Sequence, residues 1–93
     1  HAGVTLDSSS CKVSANQKSV ELTKNELRIL SLLMQNAGTV VSRQRIQEEL
    51  WQSDEFVDDN TLTVNISHLR NTLASIGVED FVMTRRGLGY VIE

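Results

Sequence analysis

Asp58-Asp59-Asn60-Thr61-Leu62-Thr63-Val64-Asn65-Ile66-Ser67-His68-Leu69-Arg70-Asn71-Thr72-Leu73-Ala74-Ser75-Ile76-Gly77 is the stretch on which the fold turns. Leu62, Ile66, Leu69, Leu73 and Ile76 recur at alternating intervals of four and three residues. That spacing draws one narrow apolar stripe along a helix of about four turns. Asp59 or Asp58 can cap its start and Gly77 can end it. With the stripe turned inward, Asn60, Val64, Ser67, His68 and Asn71 point away from the core. Thr61 and Asn65 lie on one flank, Thr63 and Arg70 on the other. A solvated helix face ordinarily mixes Glu and Lys, which favour helix and solubility. This face carries amides, hydroxyls and an imidazole instead, and no carboxylate occurs from Asn60 to Val78. Such groups suit base edges and phosphate oxygens, and the branched apolar Val64 suits a thymine methyl.

Downstream, Phe81–Arg86 and Tyr90-Val91-Ile92 flank Gly87-Leu88-Gly89, which reads as two strands around a glycine turn. Alternation puts Thr84 and Arg86 on one side of the first strand and Arg85 on the other. Arginine at such a tip suits a minor groove or a phosphate pair, being planar and permanently charged. Gly87 and Gly89 permit a tight turn and a close backbone approach.

Upstream, Thr23-Lys24-Asn25-Glu26 has the pattern of a capping box, in which a hydroxyl and a carboxylate satisfy helix N–H groups reciprocally. Leu27, Leu30, Leu33 and Met34 follow at helical spacing, which predicts a helix over about 24–36 closed by Gly38. Thr39–Val41 is a β-rich connector. Ser42 can cap a second helix whose apolar stripe is Ile46, Leu50 and Trp51. Gln52–Asp58 reads as an acidic loop with exposed-looking Phe56 and Val57. Val4–Leu6, Cys11–Val13 and Ser19–Leu22 read as three short antiparallel strands. Strands, three helices and a terminal hairpin in this order predict an α+β winged helix-turn-helix: an N-terminal antiparallel sheet, three helices and a C-terminal β-hairpin wing.

A chain of 93 residues supports one small domain, here residues 1–93 with residues 1–3 read as linker. The net charge of −3 argues against nucleic acid only until its distribution is seen. Glu48, Glu49, Asp54, Glu55, Asp58 and Asp59 gather the acid in the middle, whereas Arg70, Arg85 and Arg86 lie in the last third. The lone Cys11 rules out an intrachain disulfide and a cysteine-built zinc cluster, so no metal and no cofactor is expected. No apolar run is long enough to span a bilayer, which predicts no membrane partner and a cytoplasmic location. No Gly-x-Ser-x-Gly, His-Glu-x-x-His or P-loop pattern is present, and Gly87-Leu88-Gly89 has no helix after it to make a dinucleotide loop, so no enzyme is expected.

Taken together, Val20–Glu26, Val41-Ser42-Arg43, Leu50-Trp51, Asn60–Arg70 and Thr84–Tyr90 resemble, in order and spacing, the OmpR/PhoB family of response-regulator effector domains. The resemblance spans roughly Val20 to Glu93. It implies a four-stranded N-terminal sheet, three helices and a wing, and transcription control through sequence-specific binding of double-stranded DNA at the end of a two-component phosphorelay. It implies groove contacts from Thr63, Val64 and His68, and backbone contacts from Asn60, Thr61, Asn65, Ser67 and Arg70. Trp51 and Tyr90 match phosphate-contacting positions, although the residues alone read more simply as core aromatics with a polar tip. Thr84 and Arg86 match wing positions that reach the minor groove, with Arg85 and Asn71 bordering the same surface. Asp54, Glu55, Phe56 and Val57 match the loop that such domains present to RNA polymerase. Further implied are an upstream receiver domain with its sensor histidine kinase, and tandem half-sites bound by a dimer of a domain that is monomeric alone. The Asp59–Asn65 stretch also resembles the subgroup that controls cell-envelope and antimicrobial-peptide responses.

Where the family often has arginine, this chain has Asn60, Ser67 and His68. Fewer fixed charges release fewer counterions, which predicts a shallow salt dependence. Imidazole is the side chain that changes charge near neutral pH, so duplex binding is expected to strengthen in mild acid. The competing reading is a winged-helix module that binds protein and no DNA.

Overall fold

A computed structural model of the chain describes residues 3–52 and 57–92. Three strands come first, β1 (Thr5–Asp7), β2 (Lys12–Ala15) and β3 (Lys18–Glu21), in an antiparallel sheet of order β1-β2-β3. Ala15 pairs with Lys18, so β2 and β3 are joined by the two residues Asn16 and Gln17. Both have positive φ, 54° and 64°, the backbone twist that a two-residue hairpin needs. Three strands are what the residues themselves predict, one fewer than the family pattern implies.

Helix α1 (Lys24–Gln35) begins with the expected box. Thr23 Oγ1 accepts from the Glu26 amide at 3.1 Å, and Glu26 Oε1 accepts from the Thr23 amide at 2.9 Å. Its buried face is Ile29, Leu30, Leu32 and Leu33, while Leu27 and Met34 pack only partly against the core. The inward face is therefore turned partly away from the expected Leu27, Leu30, Leu33 and Met34 stripe, because a nearly continuous apolar run does not reveal which side faces inward. Helix α2 (Arg43–Trp51) is capped by Ser42, whose hydroxyl accepts from the Arg45 amide at 3.1 Å. It buries Ile46 and Leu50. Trp51 is 41% exposed and leaves the stripe, which corrects its reading as a core aromatic. Its indole Nε1 donates to the Val57 carbonyl at 3.1 Å, so the ring folds over the chain that follows.

Helix α3 (Asp59–Ala74) buries Leu62, Ile66, Leu69 and Leu73, and Ile76 just past its end is buried with them, none of the five more than 3% exposed. Truncating any one of them to Ala costs about 2–5 kcal/mol. Asp58 is the N-cap, its carboxylate accepting from the Thr61 amide at 2.7 Å. The helix gives way at Ser75, and Gly77 takes a φ of +80°. Asn16 Nδ2 donates to the Ile76 carbonyl at 2.9 Å, which docks the sheet's turn on the end of α3.

The hairpin is β4 (Met83–Arg85) and β5 (Gly89–Val91), paired Met83 to Val91, Thr84 to Tyr90 and Arg85 to Gly89. The connector before α2 contributes a single bridge, with Val41 and Tyr90 exchanging amide and carbonyl at 2.8 and 2.9 Å. That bridge seats the hairpin beside the start of α2. Val57, expected on an exposed loop, is instead 1% exposed and lies in the core. Its acidic sequence neighbours hide an apolar anchor whose carbonyl accepts from both Gln47 and Trp51.

Candidate nucleic-acid interface

The outer face of α3 follows from its stripe. With Leu62, Ile66, Leu69 and Leu73 inward, Asn60, Thr61, Thr63, Val64, Ser67, His68 and Asn71 are exposed and Asn65 and Arg70 are half-buried. Val64 is 52% exposed, high for a branched apolar side chain in mid-helix. Among the described residues, the side chains of Asn60, Ser67, His68 and Asn71 make no intramolecular hydrogen bond. Their donors and acceptors are open to solvent or to a ligand.

Their neighbours differ. Thr63 Oγ1 accepts from Arg43 at 2.7 Å and donates to the Asp59 carbonyl at 3.2 Å. Asn65 Nδ2 donates to the Thr61 carbonyl at 2.9 Å. Arg70, implied to reach a phosphate, donates through Nε to the Val82 carbonyl at 3.0 Å and through Nη2 to Thr84 Oγ1 at 2.6 Å. Its guanidinium carbon lies 5.7 Å from the centre of the Tyr90 ring. Arg70 therefore fastens α3 to β4, and its outward reach is reduced.

Tyr90 is 6% exposed, so it is the core aromatic with a polar tip that the residues suggested. Its hydroxyl accepts from Arg43 Nη1. Arg43 also donates from Nε to Asp59 Oδ1 and from Nη2 to the Asp59 carbonyl, both at 2.8 Å. The hydrogen bond to Asp59 is the main cause that holds the Arg43 guanidinium above its ordinary pKa, against the opposing effect of burial. Nothing in the local sequence gives Arg43 a role. Its partners lie 16 to 47 residues away, so only the fold assembles them.

At the wing, Thr84 and Arg86 are exposed and Arg85 is half-buried, as strand alternation predicts. Arg86 opens the turn before Gly87 and Leu88, and Leu88 is 65% exposed. A cleft of about 430 Å³ lies between Arg43, Tyr90 and the turn residues, Arg85 and Arg86 among them. Glu79 and Asp80 line a groove together with Arg70, Asn71 and Thr84. Asp54, Glu55 and Phe56 lie outside the described residues. Among the described residues no helix is long and apolar enough to cross a membrane.

This arrangement, a polar helix face beside an arginine-tipped hairpin on a three-helix core, defines a winged helix. The family described as "Transcriptional regulatory protein, C terminal" matches residues 16–92, and the chain belongs to that family. The sensory transduction protein BceR of Bacillus subtilis (strain 168) is 40% identical over 89 residues, 96% of this chain and 38% of BceR. The chain thus spans well under half the length of that relative. Among solved structures, the C-terminal domain of the nisin resistance regulator NsrR, a lantibiotic response regulator, superposes with a TM-score of 0.87. It is 39% identical, over 99% of this chain and 93% of that one. The DNA-binding domain of CpxR from E. coli superposes with a TM-score of 0.75 at 28% identity, over 97% and 89% of the two chains. The resemblance to response-regulator effector domains drawn from the residues is borne out.

Proposed function

We propose that this chain binds double-stranded DNA in a sequence-specific manner as the output domain of a two-component response regulator, with α3 in the major groove and the hairpin in the minor groove. The observation that carries this reading is the outer face of α3: Asn60, Ser67, His68 and Asn71 with unspent hydrogen-bonding groups around an exposed Val64. A major groove offers matching donors, acceptors and thymine methyls. Arg86 at the turn supplies the cation that a narrow minor groove attracts. The corresponding fragment of CpxR is a DNA-binding domain, in keeping with this use of the fold.

In the whole protein, the partners are a receiver domain, its sensor histidine kinase and RNA polymerase, and the protein works in the cytoplasm as a dimer on tandem half-sites. The likeness to NsrR, a lantibiotic response regulator, supports a lantibiotic as the class of stimulus. The test is selection of bound duplexes from a random pool by the purified chain. Recovery of a consensus is expected. A pool that stays random after repeated rounds, with a protein partner still bound, supports the protein-only module instead.

A further inference from the structure

We infer that Arg43 is a positioning residue that sets the spacing between α3 and the hairpin, and that it does so without touching DNA. This rests on the duplex-binding reading above. An arginine has five N–H donors in a rigid fork. Arg43 spends four bonds inside the molecule, on the Asp59 carboxylate, the Asp59 carbonyl, Thr63 Oγ1 and the Tyr90 hydroxyl. Its charge is paired with Asp59 at 2.8 Å, which leaves little field for a phosphate. Asp59 and Thr63 belong to the first turns of α3, and Tyr90 belongs to β5, so one side chain grips the start of the recognition helix and the inner strand of the hairpin.

A second grip lies further along. Arg70 binds the Val82 carbonyl and Thr84 Oγ1, and both guanidinium carbons stand 5.7 Å from the centre of the same Tyr90 ring. Tyr90 is thus the pivot between two arginines, Arg43 gripping the start of α3 and Arg70 borne on it. Helix and hairpin must enter adjacent grooves at once, so a small error in their spacing forfeits contacts that neither makes alone. Lysine, a point charge on a flexible stem, cannot hold four acceptors in one plane.

The test uses anisotropy on two labelled duplexes, one selected by the wild-type chain and one of scrambled sequence, over a range of KCl, with circular dichroism as a check on folding. For Arg43→Lys and Arg43→Gln, binding to the selected duplex is expected to fall about tenfold or more, with the scrambled duplex changed less than about twofold and the salt slope unchanged. A lysine variant that binds like wild type overturns the inference. So does an equal loss on both duplexes with a slope shallower by about one, which is the signature of a phosphate contact.

Asp59→Asn guards against an Arg43 variant that fails to fold, and it predicts an opposite sign for the two roles. Removing an acid beside DNA and freeing Arg43 strengthens binding if Arg43 is a phosphate ligand. It weakens binding to the selected duplex if Arg43 positions α3. A wild-type chain that selects no duplex overturns the proposed function, and this inference falls with it.

Discussion

A Cβ built on Gly89 would stand 2.0 Å from the carbonyl oxygen of Val41, and Gly89 has a φ of +148°. The hairpin is seated against the start of α2 at this point, through the Val41–Tyr90 bridge. The obstruction is backbone and cannot swing aside. Gly89→Ala is therefore expected to cost more than about 3 kcal/mol, combining overpacking with a backbone conformation that L-residues avoid. At Gly87 a Cβ would meet nothing within 4 Å, although φ is +74°. Gly87→Ala is expected to cost only about 1–2 kcal/mol. Urea unfolding of the two variants measures the contrast, and equal costs would show that the hairpin is not seated in this way.

The Thr23–Glu26 box predicts a second stability effect. Thr23→Ala removes the hydroxyl that accepts from the Glu26 amide and is expected to cost about 1 kcal/mol. Glu26 does more than complete the box, since its Oε2 accepts from Thr72 Oγ1 at 3.2 Å and links α1 to α3. Glu26→Ala is therefore expected to exceed Thr23→Ala in thermal unfolding. The reverse order would make the α1–α3 link negligible.

The acid side of the stability profile follows from Asp58. Hydrogen bonds from the Thr61 hydroxyl and amide hold its carboxyl below the ordinary aspartate value. A folded-state pKa lower than the unfolded one contributes stability that is present above the unfolded value. That contribution is lost as pH falls below about 4 towards the folded value. Asp7, lowered by Ser9 and Ser10, acts in the same direction. The melting temperature is expected to drop between about pH 5 and pH 2, and to drop less in Asp58→Asn, whose amide oxygen can still cap the helix. An identical pH profile for the variant would exclude Asp58 as a contributor.

Val64 separates binding from folding. At 52% exposed it contributes little to the core, so Val64→Ala should leave the melting temperature nearly unchanged. Binding to a selected duplex should weaken by about threefold to tenfold, the loss of two methyl groups from an apolar contact with a thymine methyl. Val64→Glu, which puts an acid in mid-face, should abolish it. A melting temperature that falls together with affinity would mean that Val64 packs inside.

The largely neutral helix face predicts a weak response to salt. With Arg70 and Arg43 engaged inside the molecule, the slope of log affinity against log salt is expected to be shallower than about −4. A steeper slope in a KCl titration would reveal more phosphate contacts than this surface provides.

How much of this was legible in the sequence depended on the range of each interaction. The α3 stripe and its outward face were readable because helical period alone sorts Leu62 from Val64. The capping box and the Ser42 cap were readable because each closes within four residues. Val57 is hidden in the sequence because its side chain packs into a core assembled from distant residues, which its acidic neighbours do not announce. Arg70 read as a free cation because nothing local announces Val82 and Thr84 as its acceptors. Arg43 is silent in the sequence for the same reason, its partners Asp59, Thr63 and Tyr90 lying far along the chain.

The central claim is that the outer face of α3 and the arginine-tipped turn form one duplex-binding surface. Titrating the isotope-labelled chain with a selected duplex and following its amide resonances tests it most directly. The largest shifts are expected within Asn60–Asn71 and Thr84–Leu88. Shifts confined to the β1–β2–β3 sheet or to the Glu48–Glu49 side of α2, with those two segments silent, would contradict it.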